Sequence, residues 1–418
     1  MSVMGDPGGS AGRRAVVSVL GRLRSAQGLA DPAPLYDELR SLGDVVPAPW
    51  GGYFVTGFQT CSQVLRSRTW LVPDFAWQER QPDPARWQAP ATREMTGTLS
   101  RLNPPVHTCQ RRSLGNLFDR ATLTALTPHV ERHVAGLLDG LERRLRADGT
   151  ADLVTEVSER LPLLTVGGWL GIPVADHRHV LQFTHNQVHA QELLPRKSEL
   201  EQSARATVQL RAYFTDLVRQ RRRAPGDDPV SHWIRTWDAM EPDRAAVDEI
   251  VYRLTMFITI ASLETTATLL SSMVWHLLRR PARWDWLREN LQHVADAVEE
   301  TLRYDPPVRL NSRVAAEDTE LAGVPIRKDE MVHVMYGAAN HDPRRNPDPH
   351  VFDILRRGIH LTFGGGAHYC LGAALGRLEA RTLLTRMLQR FPALRAVAPP
   401  EYAPRMVFHR LTSLRVTA

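Results

Sequence analysis

Apolar residues recur every three to four positions along most of this chain, which is the spacing that places them on one face of an α-helix. Short extended segments interrupt this pattern at 45–54 and after Arg313. The pattern therefore predicts a mainly α-helical fold with a small β-rich lobe. The longest helices are predicted at Ala121 to Arg146, Ala204 to Arg223, Arg244 to Arg279, Trp284 to Tyr304 and Leu371 to Phe391.

The predicted helix from Arg244 to Arg279 differs from the others because its apolar residues surround most of its circumference. A helix with this pattern is buried on nearly all sides. Pro281 closes it, because proline cannot continue the backbone hydrogen-bond ladder. We therefore expect this segment to be the central helix of a large domain.

Two segments are predicted to lack regular structure. Residues 1–30, which begin with the Gly-, Ser- and charge-rich stretch Met1 to Arg14, are predicted to be a flexible N-terminal tail, and residues 31–418 a single domain. Residues 81–90 contain three prolines and are predicted to form a long irregular connection. The longest early apolar stretch falls far short of the roughly 20 residues that span a bilayer, so we expect no membrane anchor and no signal peptide.

The composition is that of an ordinary globular protein, with 43% hydrophobic and 23% charged residues among 418. Its three cysteines are widely spaced and odd in number, which favours a reducing cytoplasm over a disulfide framework. The formal net charge is +6, but the basic residues are scattered and the run Arg219 to Arg223 has no interleaved aromatic residues. We therefore interpret that run as a solvated helix end and expect no nucleic-acid partner.

The most informative segment is the glycine-rich loop FGGGAHYCLG at 363–372, which runs directly into a predicted helix. Glycines let the backbone approach a bulky flat group, and the free N–H groups at the start of a helix favour a thiolate over a thiol. These features suit Cys370 as a metal ligand. A buried structural cysteine beside a glycine turn explains the same residues, whereas a phosphate loop is disfavoured because neither GxGxxG nor GK[ST] is present.

This loop resembles the haem-binding loop of cytochromes P450, which usually reads FGxGxHxCLG. The resemblance implies that Cys370 is the axial ligand of the iron of haem b, whose electron donation promotes O–O cleavage. It also implies that Phe363 shields the sulfur from water and that His368 contacts a haem propionate.

Two further motifs stand in the order that the family has them. The segment at 103–112 resembles the family's DPPEHTRLRR, and the i, i+4 spacing of His107 and Arg111 directs both side chains at one point, as a haem carboxylate requires. The resemblance assigns a further propionate contact to Arg313. Asn103 and Cys109 depart from the family pattern without touching these inferred ligands.

The second motif is ExxR, formed by Glu300 and Arg303. Taken alone, this i, i+3 pair is typical of a helix surface and contributes little. The resemblance places it in the core behind the haem, with a structural role. Val351 stands where the family often supplies an arginine to this network, so Arg356 or a histidine is the candidate substitute.

A polar cluster, ASLETT at 261–266, interrupts the apolar central helix. Threonine at such a site commonly donates to the carbonyl four residues earlier and bends the helix, which predicts a bond from Thr265 to Ala261. The cluster also resembles the family's AGxETT motif. That resemblance implies that Thr265 hydrogen-bonds bound dioxygen and that Glu264 joins a water-linked proton relay. Ser262 replaces the usual glycine.

These resemblances imply a single-domain cytochrome P450 fold and a monooxygenase that uses O2, with a ferredoxin and its reductase as electron donors. The substrate is expected to be a sizeable, largely apolar small molecule, such as a secondary metabolite. The predicted pocket lining is the Trp-rich stretch 70–100, Phe257, Ile260, Ala261, 308–310, Met406 and Val407. One alternative is an enzyme of the same family that performs oxidative coupling, epoxidation or desaturation. Another is a haem sensor or carrier without turnover.

Overall fold

The protein is described by a computed structural model that covers residues 10–81, 85–115 and 117–418. Helices dominate it, as the apolar periodicity predicts. They are α1 (Ser10–Leu23), α2 (Ala26–Ala30), α3 (Ala33–Ser41), α4 (Phe58–Arg66), α5 (Phe75–Glu79), α6 (Ala85–Gln88), α7 (Pro90–Thr96), α8 (Val106–Ser113), α9 (Arg120–Asp148), α10 (Arg160–Pro162), α11 (His177–Gln187), α12 (Lys197–Arg223), α13 (Pro229–Asp238), α14 (Arg244–Leu278), α15 (Pro281–Glu289), α16 (Val294–Tyr304), α17 (Tyr336–Asn340) and α18 (Ala373–Arg390).

The strands are short and gather into small sheets. The strands are β1 (Val45–Pro47), β2 (Tyr53–Val55), β3 (Trp70–Leu71), β4 (Ala151–Asp152), β5 (Leu310–Ala315), β6 (Thr319–Leu321), β7 (Val324–Ile326), β8 (Met331–Met335), β9 (Arg395–Ala396), β10 (Glu401–Tyr402), β11 (Leu411–Ser413) and β12 (Arg415–Thr417). The main sheet has the order β1-β2-β8-β5-β3, in which β2 and β8 pair in parallel and the other pairs are antiparallel. The small sheets are β4-β12-β9, β10-β11 and β6-β7.

Helix α14 is the central element, and most of its residues are buried. Among the described residues it is the one helix long and apolar enough to cross a membrane, but 78% of its apolar window is buried inside the protein. Burial on every side explains why its apolar residues follow no single stripe. The helix ends at Leu278, before Pro281 as predicted, and Pro281 itself begins α15, three residues before the predicted start at Trp284.

The prediction of a flexible tail over residues 1–30 is wrong for the described part of that segment. Helices α1 and α2 cover most of residues 10–30. Val16, Val19, Leu20 and Leu23 are all at most 4% exposed, and their spacing is that of one helical face. This face packs against α2 and α3, and the polar, glycine-rich composition that indicates a tail applies only to the residues before it.

Two other expectations need adjustment. The predicted helix Trp284 to Tyr304 is two helices, α15 and α16, separated by Asn290 and a 3₁₀ turn at Leu291–His293. The predicted irregular connection at 81–90 contains the one-turn helix α6, while Pro82 and Pro84 lie outside the described residues.

Candidate functional site

The glycine loop at 363–372 holds Cys370 immediately before α18. Gly364 and Gly366 have φ angles of 71° and 62°, a region that side-chain-bearing residues rarely adopt. A Cβ on Gly366 would lie 2.5 Å from the carbonyl oxygen of Leu65, so the loop also approaches α4 too closely for a side chain. The N–H of Cys370 donates to the carbonyl of Phe363 at 2.9 Å, which closes the loop on itself.

Two kinds of interaction act in opposite directions on the ionisation of the Cys370 thiol. Desolvation by the protein raises the pKa of the Cys370 thiol, whereas backbone N–H groups of Gly372 and Ala373 and the charges of Arg111 and Arg377 lower it. These donors stabilise negative charge on sulfur, which is the form that binds a metal. By contrast, Cys61 is buried and donates to the carbonyl of Val55.

Phe363 lies at the start of this loop and is covered by an arginine. The Arg377 guanidinium lies 4.4 Å from the centre of the Phe363 ring, in cation–π geometry. Glu299 holds that guanidinium with bonds of 2.6 and 2.8 Å. This arrangement fixes the ring beside the loop and is consistent with the predicted shielding of the sulfur.

Four predicted propionate contacts come together in one cluster of two arginines and two histidines. The rings of His107 and His368 lie 4.2 Å apart, and Arg111 donates to the carbonyl of Tyr369, which adjoins Cys370. Burial, Arg313 and His107 lower the pKa of His368 to about 3. Arg313 itself is only 4% exposed and donates to the carbonyl of Ser312.

This cluster lacks an anion among the described residues. Both ring nitrogens of His107 are buried without a hydrogen-bond partner, and no carboxylate bonds to Arg313 or His368 there. Buried donors and cations without partners are costly. Two carboxylates beside a cysteine loop satisfy them, and haem b brings two propionates, so the residues present fit that group.

The predicted ExxR pair is buried. Glu300 and Arg303 are 3% and 1% exposed and share two hydrogen bonds, of 2.7 and 2.8 Å. Arg356 completes the network at 3.4 Å from Glu300, whereas Val351 supplies its backbone carbonyl to both arginines. Arg356 is therefore the substitute for the arginine that position 351 lacks.

Thr265 makes the bond predicted from its sequence position, since its hydroxyl donates to the carbonyl of Ala261 at 2.7 Å. The adjacent Glu264 is 2% exposed and bonded to Arg405, while His185 contacts its other oxygen at 3.1 Å. Burial opposes the ionisation of Glu264, but His185, Arg405 and Arg410 together lower its pKa to about 2.

Sequence reasoning missed the partners of Glu264. Arg405 follows it by 141 positions and His185 precedes it by 79, and neither residue belongs to a recognisable motif. The one available signal was the burial predicted for Glu264 within an apolar helix, because a buried carboxylate requires a cation or donors.

Ser262, which stands where the family usually has glycine, donates its hydroxyl to the carbonyl of Thr259, 2.9 Å away.

A cavity of about 700 Å³ lies against this face of α14. It is lined by most of the predicted pocket residues, including Phe257, Ile260, Ala261 and Val407, and also by Thr265. Trp70 and Met406 do not line it, because both side chains are buried elsewhere in the core. Trp77 and Trp87, in T-shaped contact at 5.0 Å, and the unpredicted Trp50 form part of its wall.

Comparisons with known proteins agree with this geometry. The family model Cytochrome P450 matches residues 182–413. Nocardicin C N-oxygenase from Nocardia uniformis is 34% identical over 89% of this chain and 90% of its own, and 6-deoxyerythronolide B hydroxylase from Saccharopolyspora erythraea is 34% identical over 70% of each.

A solved structure gives the same result. The crystal structure of P450BioI in complex with hexadec-9Z-enoic acid ligated acyl carrier protein superposes with a TM-score of 0.85, at 29% identity, over 94% of this chain and all of that one. The family match spans more than half of the sequence, and both its fold and its curated relatives agree with it. The chain therefore belongs to the cytochrome P450 family.

Proposed function

We propose that this protein inserts one oxygen atom from O2 into a sizeable, largely apolar small molecule, with Cys370 as the axial ligand of its haem. Family membership makes it an oxidoreductase of the monooxygenase type with haem b as cofactor. The observation that carries the assignment of the ligand is the cluster beside the Cys370 loop, where buried Arg313 and the unpartnered ring nitrogens of His107 have no anion among the described residues.

Six residues of this chain would hold the cofactor. Cys370 supplies the sulfur, Phe363 shields it, and His107, Arg111, Arg313 and His368 bind the propionates. When bound, haem supplies the activation of dioxygen, and the thiolate promotes O–O cleavage.

Thr265 and Glu264 are proposed to supply protons. The Thr265 hydroxyl borders the cavity and donates to the carbonyl of Ala261, so its oxygen lone pairs are free to accept a second hydrogen bond. Glu264, with a pKa of about 2, is ionised at neutral pH and is therefore a proton acceptor in the resting protein. It can pass a proton to the cavity side only after it has accepted one, and protonation removes the negative charge that pairs with Arg405.

The proposed substrate is apolar because apolar side chains from α14 and from the C-terminal strands form much of the cavity wall. Phe257, Ile260, Leu310, Val407 and Phe408 all border it. A volume of about 700 Å³ is within the range of sites that enclose drug-sized molecules. Two relatives are named as oxygenating enzymes of nocardicin C and 6-deoxyerythronolide B, which supports a small-molecule substrate such as a secondary metabolite.

Ser262 leaves insertion of oxygen sterically open. Its hydroxyl is bonded to Thr259 within the helix, and Ser262 is not among the residues that line the cavity. The extra side chain therefore leaves the space over Thr265 and Ala261 open. Product mass distinguishes the outcomes, because insertion adds one oxygen atom whereas desaturation removes two hydrogens.

The proposed electron donors are a ferredoxin and its reductase, and the proposed location is the cytoplasm. Bacterial P450s of this type take electrons from separate redox proteins. Substrate-dependent consumption of NAD(P)H with such partners supports turnover. Haem binding without that consumption would instead indicate a sensor or carrier.

The test of the ligand is the absorption spectrum of the reduced, carbon-monoxide-bound protein. We expect the red-shifted thiolate band in the wild type and its loss in Cys370→Ala. Cys109→Ala is the matched control, since Cys109 is partly exposed on α8, and it should keep the band. A wild type that binds haem without this band contradicts the proposal.

A further inference from the structure

Arg101 borders the cavity and has no assigned role. It ends the 3₁₀ turn Leu99–Arg101, six positions before His107. Within the described residues, its guanidinium makes no hydrogen bond and no ion pair. An arginine has five N–H donors and a permanent charge, so this position is unusual for a side chain that is largely enclosed by protein.

The carboxylates that border the same cavity are already engaged. Asp329 accepts two hydrogen bonds from Arg80, at 2.7 and 3.0 Å. Glu330 accepts the backbone N–H of Arg327 at 2.8 Å. Neither carboxylate is therefore a counter-ion for Arg101.

Two other arginines repel the charge of Arg101. Burial, and then the charges of Arg313 and Arg86, lower the pKa of Arg101 to about 10, so it remains charged at neutral pH. Arg86 also borders the cavity, but its guanidinium is occupied by the carbonyls of Leu193 and Glu192 at 2.6 and 2.7 Å. An anion that enters the cavity would relieve this repulsion.

The backbone beside Arg101 is held in place. The N–H of Arg101 donates to the carbonyl of Thr98 at 2.9 Å. Two positions later, the Asn103 side chain bonds both backbone groups of Val72, at 3.0 and 2.9 Å, and the carboxylate of Asp74 at 2.9 Å. The guanidinium is thus presented from a fixed segment, which reduces the entropy lost when it binds a ligand.

We propose that Arg101 is the cation of a carboxylate-binding site on the cavity wall. The planar guanidinium fork matches a carboxylate with two parallel hydrogen bonds. Two sources can bring that group. One is a haem propionate, since the turn that carries Arg101 contacts α8, the helix of His107 and Arg111, and the charge of Arg101 acts on His368. The other is a carboxylate on the substrate, since Arg101 borders the cavity that would hold it.

The first arm of the test measures haem retention in Arg101→Gln. Transfer of haem from the ferric protein to excess apomyoglobin gives the rate of haem loss. If a propionate is the ligand, the variant should lose haem about 10- to 100-fold faster, as expected for one lost charge-assisted hydrogen bond. Arg101→Lys keeps the charge without the fork and should fall between. Arg68→Gln removes an exposed arginine without a partner among the described residues and is the matched control.

The second arm compares dodecanoic acid with its methyl ester by the spin-state shift of the ferric haem. If a substrate carboxylate is the ligand, Arg101→Gln should weaken binding of the acid about tenfold or more and leave the ester unchanged. Either arm alone identifies its source. The proposal is wrong if Arg101→Gln loses haem at the control rate and its titrations with the acid and the ester equal those of the wild type. The absence of a spin-state shift with both compounds, in both proteins, counts as such an equality. The haem arm relies on family membership and does not depend on the proposed apolar substrate.

Discussion

Replacing Arg405 by glutamine removes the cation from the buried pair with Glu264. Both side chains are nearly inaccessible, at 6% and 2% exposed. Removing one partner of a buried ion pair typically costs about 3–5 kcal/mol. His185 keeps its contact with the other oxygen of Glu264, so we expect the lower end of that range, about 3 kcal/mol at pH 7.

The pH dependence of this loss follows from the pKa of Glu264. Its value of about 2 in the folded protein lies below the ordinary 4.5, so ionised Glu264 stabilises the fold above pH 4.5, and the contribution disappears as pH falls toward 2. The shift corresponds to about 3 kcal/mol, to which His185 contributes most among the groups that lower the pKa, followed by Arg405 and Arg410. Without Arg405 the pKa rises, so the stability difference between wild type and variant should shrink below about pH 4.5.

Urea unfolding of the haem-loaded proteins at pH 7 and pH 4 measures both effects. Arg144→Gln is the control, because Arg144 and its partner Asp148 are each more than half exposed, and such pairs contribute about 0–1 kcal/mol. A loss for Arg405→Gln no larger than that of the control, or a difference independent of pH, would refute the account of Glu264 as an acid that Arg405 helps His185 to hold ionised.

Three further substitutions probe the loop, the proton supply and the core network. Gly366→Ala places a Cβ 2.5 Å from the Leu65 carbonyl oxygen at a φ of 62°, so the ratio of haem to protein absorbance should fall. Gly376→Ala is the control and should keep that ratio, because a Cβ there would meet nothing within 4 Å outside its own helix backbone. Thr265→Val keeps the shape of the side chain but not the hydroxyl; we expect an intact thiolate band and a product yield per NAD(P)H lowered about tenfold or more. Arg356→Met leaves Glu300 without its third partner and should lower the unfolding free energy by about 1–3 kcal/mol in a urea titration.

Local patterns predicted the parts of the site that local chemistry determines. The turn at Gly364 and Gly366 needs left-handed backbone, and the Thr265 hydroxyl reaches a carbonyl one helical turn away, so both can be deduced from a few neighbouring residues. The core helix α14 could also be predicted, because a helix that is buried on all sides has apolar residues around its whole circumference in every turn. Helix α1 was missed although it packs against the neighbouring helices α2 and α3, because the loose composition of Met1 to Arg14 was extended over the apolar residues that follow it.

The remaining parts of the site depend on which charges meet, and sequence position does not determine that. Glu264 is surrounded by Arg405, Arg410 and His185 and therefore needs no external cation. Arg313 and Arg101 show the opposite imbalance, since no carboxylate of the described residues bonds to either. A motif identifies which residues face a cofactor, but only the folded arrangement shows the sign of the charge that is missing. At the cavity wall beside α8 that missing charge is negative, and a ligand bearing carboxylates supplies it.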